Sequence, residues 1–583
     1  MLMKTRILLL NLILFFCGCI FADGIRETVL LTQAWDAQTA AGIEDPPKSH
    51  LWGSSAKPEQ GIRRIVQPEQ AGGKGNPKSK SAWFRQFPEI PAEWKGRTVL
   101  FSVPLVQGDL VVFLNGKKAG EILRPTGTLN LSDKLEYGRK NELLLFLTGN
   151  GSGISRKNPV YQDTDWRVVN TIGFYPPQLR VLPNTYIDDV FANTSAEKKQ
   201  LSLEMEVVSS QSGDGLLKAE ILDREGNVVK RAEKELRFLP GINPVKVRIP
   251  WENPHYWELG RGYLYTCRVV LTDRSASVKD EYPSFRFGFR QFTTRGRELI
   301  LNNHIQRLRT VYSFGAGPGG ASFLKMIGYN TLIYSHCTQT FPWIPGEQAE
   351  KELCEMDEMG IGLIKPAPSV GLLRDRIRKD PAAAVEFERC MKLFMKRYRN
   401  HPSIIGWYVG NITNYGSPEP TQFAQFFDRG PQAQNIEKAI QIGKKYNPNT
   451  FFYSFADGNT GDLHNSFLYL NFTPIQEREE WLSSWSKHGV APWQASEFGE
   501  PYRGNYWQGR IFLFTEYMAI FFGDQAYREE PEKGLENIIR MSLIKAPMEA
   551  MCRDSICTRS IRSSGNSAGR SPGGQTAHGE PTV

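Results

Sequence analysis

Two segments place residues able to do chemistry at the ends of apolar, strand-like runs. In PWQASEFGEPY (Pro492–Tyr502) the run closes on Glu497, beside Phe498 and Gly499, with Glu500 close behind. A carboxylate at such an end has the exposure a nucleophile needs. Glu497 is the candidate and Glu500 its neighbouring rival; the plain alternative is a surface or salt-bridged glutamate. In NHPSIIGWYVGNITNYG (Asn400–Gly416) a second run leads into Asn411 and Ile412. The Asn411 amide either serves a ligand or satisfies local backbone groups. The alkyl group of Ile412 can neither give nor take a proton. Trp407 in the same run is a further candidate, although a strand tryptophan is more often core. Alternation along a strand puts Trp407 and Val409 on one side and Tyr408 and Gly410 on the other, so only some of these side chains reach a pocket. No phosphate loop, nucleotide fold, metal-ligand spacing or other cofactor motif is legible.

The elements that must position these residues follow from periodicity. After Arg295 short buried strands alternate with helical patterns, as in a parallel barrel. Seven strands are expected: Gln306–Tyr312, Asn330–Ser335, Gly360–Lys365, Ser403–Gly410, Thr450–Ser454, Ser466–Asn471 and Ala491–Glu497. The eighth should follow a helix over Glu532–Lys545, where the apolar pattern is lost, so a barrel lacking its last strand, with unpaired edges, is the expectation. Upstream, alternating runs such as Arg97–Pro104 and Asp109–Leu114, with a hairpin turn at Asn115-Gly116, predict a β-sandwich. A second alternating series from Tyr186, turning at Glu225-Gly226-Asn227, fits an immunoglobulin-like sandwich.

The chain of 583 residues is 40% hydrophobic, which supports several packed domains and excludes a disordered protein. Aromatic residues reach 11%, with 13 Trp; this suits stacking on flat sugar faces, although large sandwiches also bury many aromatics. The formal charge of +9 is dispersed and carries no nucleic-acid motif. Lys4, Arg6 and the apolar run Ile7–Phe16 read as an export signal ending near Ala22, too short to span a bilayer at about 20 residues. A lipoprotein signal with Cys19 lipidated is the alternative; both place the mature chain in the periplasm or outside the cell. Cys267, Cys337, Cys354 and Cys390 are scattered singly, as buried thiols or in a disulfide. From about Met548 the chain is rich in Ser, Gly and Arg without strand or helix period, either a disordered tail or a shifted reading frame.

Several motifs resemble glycoside hydrolase family 2, the β-galactosidase, β-glucuronidase and β-mannosidase group. The string Ala82–Glu121, with Trp83-Phe84-Arg85, is similar to that family's N-terminal jelly-roll, or galactose-binding-like, domain. WENPHYWELGRGYLY and FRFGFRQF (Phe285–Phe292) are similar to the segments that lead into its barrel. The resemblance covers roughly residues 30 to 545. Between the export signal read over residues 1–22 and the tail over 548–583, it implies a jelly-roll domain over 27–187, an immunoglobulin-like sandwich over 188–292 and a (β/α)8 TIM barrel over 293–547.

The resemblance also implies roles. Glu497 becomes the nucleophile of a retaining β-glycosidase. Asn411 holds the sugar 2-hydroxyl, and His336, Trp407 and Asn471 complete the sugar site, with carbohydrate as the partner and no cofactor. The family's acid/base glutamate follows the strand-four Asn, and Ile412 stands there instead; Glu419 and Asp428 are weak stand-ins without the right spacing. Ile333 replaces a family Arg, and Lys365 stands where many members carry an acidic residue. A catalytically inactive carbohydrate-binding protein is therefore the alternative to an enzyme.

Overall fold

The computed structural model describes residues 25–40, 43, 54–56, 81–123, 125–148, 173–313, 320–334, 347–368, 381–411, 431–455, 460–468, 483, 486–487, 489–498 and 549–550. The expected signal and most of the expected tail lie outside these residues.

The first unit is a β-sandwich. A four-stranded sheet built on Thr98–Val103 faces a six-stranded sheet built on Ser81–Gln86, Leu143–Thr148 and Asp109–Leu114. Alternation splits the strand Ser81–Gln86: Phe84 enters the core between the sheets with Phe101, Val112 and Leu145, while Trp83 packs outside with Val111 and Phe146. The hairpin at Asn115-Gly116 forms as expected, with φ of 48° and 76°, the left-handed pair that a tight two-residue turn needs. The second unit has seven strands in sheets of three and four, the count of an immunoglobulin-like sandwich. Cys267 is a buried thiol in its core. Its buried Asp280 accepts from Arg26 Nε at 2.8 Å and from the Ile187 amide at 2.7 Å, tying the start of the described chain to this unit.

The third unit is parallel. Its strands are β1 (Leu308–Ser313), β2 (Thr331–Tyr334), β3 (Gly362–Pro366), β4 (Ile404–Asn411), β5 (Phe451–Phe455), β6 (His464–Leu468), β7 (Trp493–Phe498) and β8 (Glu549–Ala550). All seven expected strands form within a few residues of their expected bounds. The sheet order is β5-β4-β3-β2-β1-β8, and β6 pairs with β7. Glu549 and Ala550, inside the stretch read as tail, pair in parallel with Leu308 and Arg309 at the edge of β1. An edge strand offers its backbone groups to any extended segment, so the apolar pattern missing from the sequence is not required for this pairing.

Helices α1 (Gly320–Met326), α2 (Glu347–Met359), α3 (Pro381–Tyr398) and α4 (Pro431–Tyr446) cover one face of the sheet. Val311, Leu332, Leu363, Trp407, Val409 and Phe452 meet them there. The other face gathers Ile333, Ile364, Ile405, Tyr408, Phe451 and Tyr453 into an inner core, closed by Trp257, Phe292 and Leu299 from the preceding segments.

The Gly-Phe-Arg motif explains how the sandwich is joined to the parallel unit. A Cβ on Gly288 would stand 2.7 Å from Pro402 Cβ, so only hydrogen fits without a shift. Arg290 is 5% exposed and donates to the carbonyls of Pro402 (2.6 Å), Ile404 (2.6 Å) and Asn449 (2.7 Å). These carbonyls lie at the entry to β4 and before β5, where three backbone acceptors would otherwise be buried. Around this contact Lys396 of α3 donates to Glu206 at 2.6 Å, and Arg399 pairs with Asp189.

Candidate active site

Because β1 to β5 run parallel, their C-terminal ends share one edge of the sheet. Asn411 is the last residue of β4, paired with Phe455 of β5. Glu497 is the penultimate residue of β7, paired with Phe467 of β6. Both candidates therefore end parallel strands, where catalytic groups of parallel barrels sit. In both strands the register slips just before the candidate. Between Tyr408 and Gly410 of β4 the extra residue is Val409; between Ala495 and Glu497 of β7 it is Ser496. Such irregularities re-aim the residues that follow and are frequent beside active sites. His336, Asn471, Ile412, Glu419, Asp428 and Glu500 lie outside the described residues.

Two expectations need correction. Trp407 is fully buried on the helix-covered face, with its ring centroid 5.4 Å from Phe394 and 6.5 Å from Phe452. It cannot act as a sugar platform there; it fills the layer between β4 and α3. Lys365 is also drawn under the helices, with its ammonium 4.8 Å from the Tyr398 ring centroid. Burial first, and then the Arg397 charge, push its pKa down to about 7, against the opposing charge of Glu352. Alternation from Leu363 accounts for this side: residues 363 and 365 face the helices while Ile364 faces the inner core.

The face opposite Trp407 is apolar and aromatic. Ile333 is 2% exposed and packs with Ile364 and Ile405, so an alkyl group occupies the position where the resemblance expects an Arg. The rings of Tyr408 and Tyr453 stand side by side at 6.1 Å. Sequence reading missed a polar feature in the β6–β7 pair. Asn465 of β6 and Gln494 of β7 are register partners with no exposed surface, and Asn465 Nδ2 donates to Gln494 Oε1 at 2.9 Å. The available signal was two amides inside runs that should be buried. Among the described residues no group of metal-ligating side chains is assembled, and no helix is long and apolar enough to cross a membrane.

Two sandwiches followed by a parallel layer define a class of fold, the multidomain β and α/β proteins. Residues 185–290 match the family model described as "Glycosyl hydrolases family 2", the span of the second sandwich. The canine β-glucuronidase is 24% identical over 394 residues, covering 64% of this chain and 56% of that protein. A β-galactosidase of Clostridium acetobutylicum is 23% identical over 372 residues, covering 58% of this chain and 39% of that protein. The chain thus spans little more than half the length of the first and well under half of the second.

Among solved structures, a β-glucuronidase of Bacteroides uniformis superposes with a TM-score of 0.62 at 17% identity, covering 86% of this chain and 64% of that one. One from Ruminococcus gnavus, in complex with D-glucuronic acid, superposes with a TM-score of 0.62 at 16% identity, covering 91% of both chains. The resemblance to glycoside hydrolase family 2 is borne out: the chain carries a domain of that family and is homologous to its β-glucuronidases and β-galactosidases.

Proposed function

We propose that this chain is a retaining β-glycosidase with an impaired proton-transfer step, acting on β-glucuronides or β-galactosides. The observation that carries the reading is the position of Glu497, one residue from the end of β7 and directly after a slip in register. In this reading β1 to β8 close into a (β/α)8 barrel, with Asn411 and Glu497 facing each other across its mouth. The Glu497 carboxylate attacks the anomeric carbon and expels the leaving oxygen; water then displaces the carboxylate and restores the configuration. Asn411 and His336 hold the sugar, Asn411 at the 2-hydroxyl, and Asn471 lines the same site. The relatives, a β-glucuronidase and a β-galactosidase, support the substrate class.

Ile412 sets the limit. General acid–base help contributes about 10²- to 10⁴-fold, so glycosides with poor leaving groups should turn over slowly and activated aryl glycosides well. The second reading, a carbohydrate-binding protein without catalysis, is favoured by Ile412 and by Ile333 in place of the family Arg. Nitrophenyl β-D-glucuronide and β-D-galactoside decide between them. Turnover that disappears in Glu497→Gln supports the enzyme. Absence of turnover in the wild type, together with measurable binding of glucuronate or galactose, supports the binding protein and ends the nucleophile assignment.

A further inference from the structure

We propose that the Asn465–Gln494 amide pair is a positioning device that holds β7 in the register that delivers Glu497. The proposal rests on the reading of Glu497 as nucleophile. The two side chains come from register partners on parallel strands, neither has exposed surface, and they are joined at 2.9 Å. Leu463, two residues before Asn465, belongs to the inner core with Ile405, Tyr408 and Tyr453. As register partners on parallel strands, Asn465 and Gln494 project to the same face of the β6–β7 pair.

An amide pair there is costly unless it specifies something. Apolar side chains would fill the layer without desolvating four polar atoms, and Gln494 Nε2 has no hydrogen-bond partner among the described residues. What the pair does that leucines cannot is distinguish registers. A slip of one residue would send one amide to the opposite face and break the bond between the two fully buried groups. The restraint is placed where it matters, because Ala495 still faces Ser466 in step with the pair, Ser496 is the extra residue, and Glu497 follows at once. The slip that re-aims Glu497 is thus anchored on its N-terminal side by the amide bond, so the bulge cannot migrate down the strand.

The test uses the full-length protein, with the release of nitrophenol from an activated aryl β-glycoside and the melting temperature as readouts. Gln494→Leu and Asn465→Leu should each lower the melting temperature, since each removes a hydrogen bond between two fully buried amides, and lower kcat about 10- to 100-fold with KM little changed, the effect of a nucleophile misplaced by about 1 Å. The double variant removes both amides and should recover most of the melting temperature while kcat stays low. That separation of stability from kcat is what a packing role cannot give. Recovery of kcat together with stability in the double variant would overturn the proposal, as would folded single variants with wild-type kcat. If wild type and Glu497→Gln behave alike, the nucleophile reading itself has failed and the proposal falls with it, an outcome recognisable without the amide variants.

Discussion

His401 Nδ1 lies 2.7 Å from Asp357 Oδ2, joining the turn that enters β4 to helix α2. The other ring nitrogen is 3.5 Å from Glu350 Oε1, and the second oxygen of Asp357 accepts from the Ser403 amide at 2.9 Å. The same residue's backbone carbonyl accepts from Trp257 Nε1 at 2.8 Å, so a single helical turn fastens both the strand entry and the preceding segment.

This clamp predicts a pH dependence of stability. Burial works against the charged imidazole, but the charges of Asp357 and Glu350 outweigh it and raise its pKa from 6.5 to about 10. A raised pKa means that the contribution is full below about 6.5 and is lost as pH climbs through about 10. Melting temperatures should therefore fall more between about pH 6 and about pH 9.5 in the wild type than in His401→Gln. Parallel falls in the two proteins would contradict the clamp. At neutral pH, His401→Ala should cost about 3–5 kcal/mol, because it leaves the Asp357 carboxylate buried without its partner.

Arg290 carries a second prediction. Removing the guanidinium takes one donor from each of its three carbonyl partners, and each charge-assisted bond is worth about 1.5–3 kcal/mol. Arg290→Ala should lower the denaturation midpoint strongly, and Arg290→Lys should rescue only part of the loss, since one ammonium cannot copy the planar fork that reaches Pro402, Ile404 and Asn449 together. Full rescue by lysine would show that charge alone matters at this junction.

Trp407 separates a core role from a sugar-binding one. Its indole nitrogen has no partner among the described residues, so Trp407→Phe loses packing volume and no hydrogen bond. The expected cost is about 1–2 kcal/mol, less than the about 3–5 kcal/mol of a Trp→Ala truncation. KM for an aryl glycoside should stay within about twofold, as the ring lies on the face away from the proposed site. A large rise in KM at unchanged stability would restore the platform role.

Ile412→Glu tests the proposed chemistry by gain. Supplying a carboxyl group at that position should raise kcat for an alkyl β-glycoside by about 10²-fold or more while changing an activated aryl glycoside little, because only the poor leaving group needs a proton. Equal effects on both substrates, or none, would mean that residue 412 does not stand beside the leaving oxygen.

The fold was legible to a large extent because its signals are local. Alternation, the Asn115-Gly116 turn and the switch to buried strands after Arg295 announce two sandwiches and a parallel layer, and each expected strand formed near its expected bounds. The site was legible only at its ends. Glu497 and Asn411 could be placed at strand termini from the apolar runs that precede them, but the two slips in register could not, because a bulge is a relation between a strand and its neighbour. Trp407 was a candidate for the sugar site in the sequence and went to the helix side.

What the sequence determined by itself is the order of elements and the kinship with glycoside hydrolase family 2, since both reside in short patterns that neighbouring residues can satisfy. Tertiary structure alone decided which face of each strand became interior, which carbonyls Arg290 would serve and which amides would meet at Asn465 and Gln494. Those outcomes depend on contacts between segments far apart in the chain, where burial and pairing choose among arrangements that local propensity leaves equal.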